Sequence, residues 1–113
     1  MVCNKPKTVV ELYEIYDWTQ NALARDGEGN GLSSDLNNPK VASFCVAGAI
    51  IRVYGWEWHE RGDAAKRLGD VVQKHHPQFH RYSINDFNHI VEWNNHPNRT
   101  KEEVVELCRE AGI

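Results

Sequence analysis

The most reactive groups in this chain are a thiol and a set of imidazoles. Cys45 lies in SFCVAGAI, residues 43–50, among small and apolar neighbours. A nucleophilic cysteine needs a lowered pKa, because the thiolate is the attacking species. It also needs a base and a group that orients the base. His80 or His89 could supply the base, Asn94 or Asp86 the orienting group, and Gln20 an oxyanion donor. The start of the surrounding helix decides how far this goes. A thiol in a first helical turn gains from free N–H groups and the helix dipole, and one two turns in gains little. The competing reading is a buried cysteine that acts as a small hydrophobe.

The chain order Gln, Cys, His, Asn is that of papain-like proteases, but nothing around Cys45 repeats a local motif of those enzymes. Six histidines are many for this length, and His75, His76 and His80 cluster around Pro77. A His76-x-x-x-His80 pair would share a helix face as metal ligands do, but Pro77 breaks that helix. No HExxH and no paired-cysteine motif occurs, so neither metal nor cofactor is expected. GEGNG lacks the strand and lysine of a phosphate loop. The carboxylates of the terminal segments follow helix faces and read as solvated surface.

Aromatic residues give a second candidate site. The four tryptophans are Trp18, Trp56, Trp58 and Trp93. Trp56 and Trp58 fall in an expected connection, WEWHERG, where exposed rings could stack on a planar ligand. His59 and Arg61 beside them could neutralise phosphate. The same rings could instead cover the end of a central helix as ordinary core.

These groups need elements to hold them. Thr8 and Glu11 have capping-box spacing, and apolar residues then recur at helical spacing to about Arg25. The stretch DGEGNGLSSDLNN, 26–38, reads as a loop. Asn38-Pro39 reads as a cap with proline at the first helical position. The helix that follows is apolar nearly all round and stops at Gly55. Asp63 caps a third helix ending near His76. Ser83 with Asp86 starts a fourth carrying Ile84, Phe87, Ile90 and Val91. Thr100 with Glu103 starts a fifth, which Gly112 ends. The expectation is an all-α fold, a bundle of about five helices around a central apolar helix at 39–54, with one domain spanning 1–113.

Two patterns resemble those of a known family. Phe44-Cys45-Val46-Ala47-Gly48-Ala49 is similar to its aromatic-Cys-x-x-Gly-Ala pattern. Trp93-Asn94 through Arg99-Thr100 to Glu103-Val104 is similar to its Trp-Asn-x4-Arg-Thr-x-x-Glu-Val pattern. Trp18-Thr19-Gln20-Asn21-Ala22 also looks like its first helix. The family is a small uncharacterised one, a domain of unknown function in short bacterial and phage proteins. The resemblance implies a compact helical domain inside a bacterial cell and assigns no catalytic residue. It departs at Asn95, where the family usually has Asp, which favours a structural role for that turn.

Composition narrows the partners. A net charge of −3 argues against general nucleic-acid binding, although Arg61, Lys66, Arg67, Lys74 and Arg81 lie close in sequence. No run is long enough for a membrane span. The N-terminus has no apolar signal core, so a cytoplasmic protein with Cys3, Cys45 and Cys108 reduced is expected. The reading that follows is a small cytoplasmic binding protein, in one version a phage-encoded accessory or counter-defence factor. Its ligand is a nucleotide-like small molecule or a host protein, held by Trp18, Trp56, Trp58, His59, Arg61 and Trp93. The alternatives are a cysteine-dependent hydrolase or transferase built on Cys45, His80, His89 and Asn94, and a structural homo-oligomer.

Overall fold

A computed structural model describes residues 6–32, 36–83 and 86–113, with the side chains of 58–61 outside the description. Five helices and a four-stranded mixed sheet make up the described chain, which corrects the all-α expectation to α+β. The first helix, α1 (Val9–Ile15), starts as its residues dictate. The Thr8 hydroxyl accepts from the Glu11 N–H at 3.0 Å, and Glu11 Oε2 accepts from the Lys7 N–H at 3.1 Å. It stops at Tyr16, ten residues short of the Asp26 that opens the expected loop, because the backbone there turns extended (φ −113°, ψ 158°).

Four short strands follow: β1 (Asp17–Trp18), β2 (Ala24–Asp26), β3 (Gly31–Leu32) and β4 (Val41–Phe44). Their order is β1-β4-β2-β3, with β1 parallel to β4 and the other pairings antiparallel. Part of the expected 26–38 loop is thus the β2–β3 hairpin. Asp26 Oδ1 accepts from the Glu28 and Asn30 N–H groups, both at 2.9 Å, and Gly29 takes the left-handed φ of +87° that the turn requires.

The central helix also needs correction. Asn38-Pro39 is a turn rather than a cap, with Asn38 Oδ1 accepting from the Lys40 N–H at 2.9 Å. Val41–Phe44 is then extended, with Val41 and Phe44 buried and Ala42 exposed. Backbone groups that a helix would pair internally pair here with strands on both sides. The helix proper, α2 (Val46–Tyr54), is buried over its first six residues and ends at Gly55 as expected. α1, α3 (Trp58–His75), α4 (Phe87–Asn94) and the sheet pack around it. α3 begins at Trp58, earlier than the expected Asp63 cap. α4 is capped by Asp86, not by Ser83, and Ile84 lies outside the described residues.

The last helix, α5 (Lys101–Ala111), has the expected cap: Thr100 accepts from the Glu103 N–H at 3.2 Å. It closes at Gly112 (φ 75°), after which the Ile113 N–H donates to the Cys108 carbonyl. Buried Ile113 then accepts from the Val9 N–H at 2.9 Å, so the end of the chain seats on the start of α1.

Candidate ligand site

Cys45 is the N-cap of α2. Its Sγ accepts from the Gly48 N–H at 3.3 Å, and its own N–H donates to the Leu23 carbonyl at 3.0 Å. A helix start is where a thiolate would be stabilised, yet only 4% of the residue is exposed. Burial pushes the thiol above its ordinary range, and the N–H groups of Gly48 and Ala47 offset this only in part. The cleft beside it is lined by Asn21, Ala22, Leu23, Val91 and Asn95, none of them a base.

The other members of the proposed catalytic set divide. Gln20 and Asn94 do come together, and the amide N–H groups of both are taken up in structure. Asn94 is completely buried, and its Oδ1 accepts from Trp18 Nε1 at 2.7 Å and from the Val46 N–H at 3.0 Å. Its Nδ2 donates to the Thr19 carbonyl at 3.2 Å and to Asn95 Oδ1 at 3.1 Å. Gln20 Nε2 donates to the carbonyls of Asn94 (3.0 Å) and His96 (2.7 Å), leaving no N–H for an oxyanion. Asn95 Oδ1 likewise accepts from the Asn21 N–H at 2.9 Å.

His80 and His89 line a different cleft, with Tyr82, Asp86, Asn88, Val91 and Glu92, of about 170 Å³. Among the described residues no imidazole lines the Cys45 cleft, so the thiol has none there for proton transfer. Native protein treated with N-ethylmaleimide at pH 7 should therefore leave Cys45 and the fully buried Cys108 unlabelled until it is unfolded. Peptide mass mapping checks this; rapid native labelling of Cys45 contradicts it.

The His89 cleft is assembled from local capping chemistry. Asp86 Oδ1 accepts from the His89 N–H at 3.2 Å and starts α4, while Oδ2 accepts from the Tyr82 N–H at 2.9 Å. Arg81 ties the same segment to α3 through Asp70 (2.7 Å) and the Lys66 carbonyl (3.2 Å), lying across Gly69 where a Cβ would crowd it. Fixed at both points, the segment holds His80 and Tyr82 outward, their rings 4.1 Å apart and edge to face. Tyr82 is 84% exposed.

In the lining of the same cleft His89 is only 1% exposed, and among the described residues neither Nδ1 nor Nε2 has a hydrogen-bond partner. Burial, reinforced by the Arg81 guanidinium, holds the ring below the usual histidine range. A neutral imidazole carries one donor and one acceptor, and here both are unmet. Sequence reasoning named His89 as a base for Cys45; its burial without partners carries no sequence signal.

The tryptophans do not form one exposed platform. Trp18 meets the start of α2 through Asn94, whereas Trp56, half-exposed, follows the end of that helix, about 14 Å away at 1.5 Å per residue. Trp93 is fully buried with the Arg99 guanidinium 4.7 Å from its centroid. The side chains of Trp58, His59 and Arg61 lie outside the described residues. The clustered histidines also separate: His75 pairs with Glu110 at 2.8 Å, and His76 packs against Trp93 and Phe79. Among the described residues no group of three or more His, Cys, Asp or Glu is placed to hold a metal ion. No helix there is long and apolar enough to cross a membrane.

Residues 9–112 match the family described as Family of unknown function (DUF6197), and the chain belongs to that family. It matches no curated protein and no solved structure.

Proposed function

We propose that this family member is a small binding protein that does no covalent chemistry, and that its ligand enters the cleft over His89. The observation that carries this reading is the buried imidazole with two unpartnered nitrogens beside a cavity. Leaving a buried polar group unsatisfied costs about 1–3 kcal/mol. Within the described chain nothing offsets that cost, and a ligand that pairs with either nitrogen lowers it. His80 and Tyr82, both exposed, line the same cleft as His89, so small side-chain rotations widen the way into it. Cys45 and Asn94, which a catalytic reading needs free, are instead the caps of α2. A cytoplasmic setting in a bacterium or phage-infected cell belongs to this proposal, as the motif resemblance implies.

The test is titration of histidine-labelled protein with a panel of small heterocycles, amines and carboxylic acids, followed by NMR. Saturable shifts are expected at the His89 ring and at Tyr82, with Cys45 unmoved. A panel that leaves His89 unmoved throughout contradicts the proposal.

A further inference from the structure

We infer that the cleft lined by His89 binds a small primary amine through its ammonium group. This rests on the binding reading above and names the ligand class. Asp86, His89 and Glu92 recur at intervals of three from the cap of α4 onward, a spacing that brings side chains to one side of a helix. All three line the cleft. The row thus sets a carboxylate, an imidazole and a second carboxylate around one cavity. His89 is buried, and among the described residues neither ring nitrogen has a partner. A neutral imidazole keeps one bare nitrogen as an acceptor, and an ammonium group brings three N–H donors. With no partner among the described residues to fix the tautomer, either nitrogen can be the bare one. A single N–H from the ligand is enough to satisfy it.

Charge and aromatic faces complete the fit. Asp86 and Glu92 both act electrostatically on the His89 ring, together with Arg81 and His80. The Arg81 guanidinium is itself held by the Asp70 carboxylate at 2.7 Å. Each Asp86 oxygen accepts one backbone N–H. A carboxylate offers about four lone-pair sites, so Asp86 has capacity for further donors. An ammonium beside these carboxylates gains charge-assisted hydrogen bonds, which are stronger than neutral ones. Exposed Tyr82, edge to face with His80, supplies a ring over which a cation is attracted. Val91 gives the alkyl part of the ligand an apolar wall.

Butylamine, tetramethylammonium, 1-butanol and butyrate are titrated separately into the full histidine-labelled chain at pH 7, with the His89 ring and Tyr82 resonances as readout. Butylamine, an ammonium ion at this pH, should saturate the shift. The quaternary ion has no N–H and the alcohol no charge. Each should bind at least about tenfold more weakly, as loss of a hydrogen bond to a charged group does. Glu92→Gln, at an exposed position, should weaken butylamine by about threefold. Tetramethylammonium that binds as tightly as butylamine overturns the N–H contact to His89. 1-Butanol that does so, or an unchanged affinity in Glu92→Gln, overturns the recognition of charge. Saturation by butyrate alone overturns the amine assignment and leaves the binding reading standing. Silence from butylamine overturns this inference, and only silence from the wider panel overturns the binding reading.

Discussion

Asn94→Ala should lower the free energy of unfolding by about 3–5 kcal/mol, a large part of the 5–15 kcal/mol of a small domain. The side chain is fully buried and joins three parts of the chain. Its Oδ1 receives the first N–H of α2 and the indole N–H of Trp18, and its Nδ2 fixes the Thr19 carbonyl. Alanine leaves two donors and one acceptor in the interior, and water has little room to replace the lost partner. The register of β1 is affected as well, since Trp18 pairs with Phe44 in the sheet. Urea unfolding followed by circular dichroism measures the loss. A variant within about 1 kcal/mol of the parent would show that this network contributes little.

Gly48→Ala should be comparably damaging, about 3 kcal/mol, from one added methyl. A Cβ at this position collides with the Leu23 carbonyl oxygen and lies 2.8 Å from its carbon. Overpacking typically costs 1–3 kcal/mol when side chains can yield, and here the obstacle is backbone. Leu23 is also pinned, because its carbonyl accepts from the Cys45 N–H at 3.0 Å. Any retreat of the chain before β2 therefore breaks the contact that seats the α2 cap. The same denaturation experiment applies, and a neutral Gly48→Ala would mean that α2 and residue 23 are less tightly apposed than described.

Both residues belong to motifs visible in the sequence, yet the sequence pointed to their roles only in part. Gly48 is visible as part of the aromatic-Cys-x-x-Gly-Ala pattern, but its close neighbour, the Leu23 backbone leading into β2, is set by the tertiary fold. Helix ends were the most legible features, because Thr8, Gly55, Thr100 and Gly112 act through local bonds within a few residues. The strands were missed because two to four residues are too few for a period-2 pattern to emerge. Val41 to Phe44 therefore merged with the apolar periodicity of α2. The segment Trp18 to Ala22 was similarly read as helix, although Asn21 has the left-handed φ of +64° that breaks it.

The candidate site was legible residue by residue but not as a constellation. His80, His89 and Asp86 were all named, as partners of Cys45. Their grouping with Tyr82 and Glu92 depends on how Arg81 and Asp86 fold the 80–83 segment back over α4. That Asn94 caps α2 from 48 positions away is likewise a tertiary fact that no local spacing encodes.

The most direct test of the account is the thermal unfolding of His89→Leu beside its ligand titration. A residue retained for recognition leaves two buried nitrogens without partners, and an apolar replacement of similar size removes that deficit. The midpoint should stay level or rise by up to about 4 °C, as ~1 kcal/mol does in a domain of this size, while the ligand-induced shifts at Tyr82 disappear. A midpoint lowered by about 8 °C or more would make His89 a structural core residue and contradict the account.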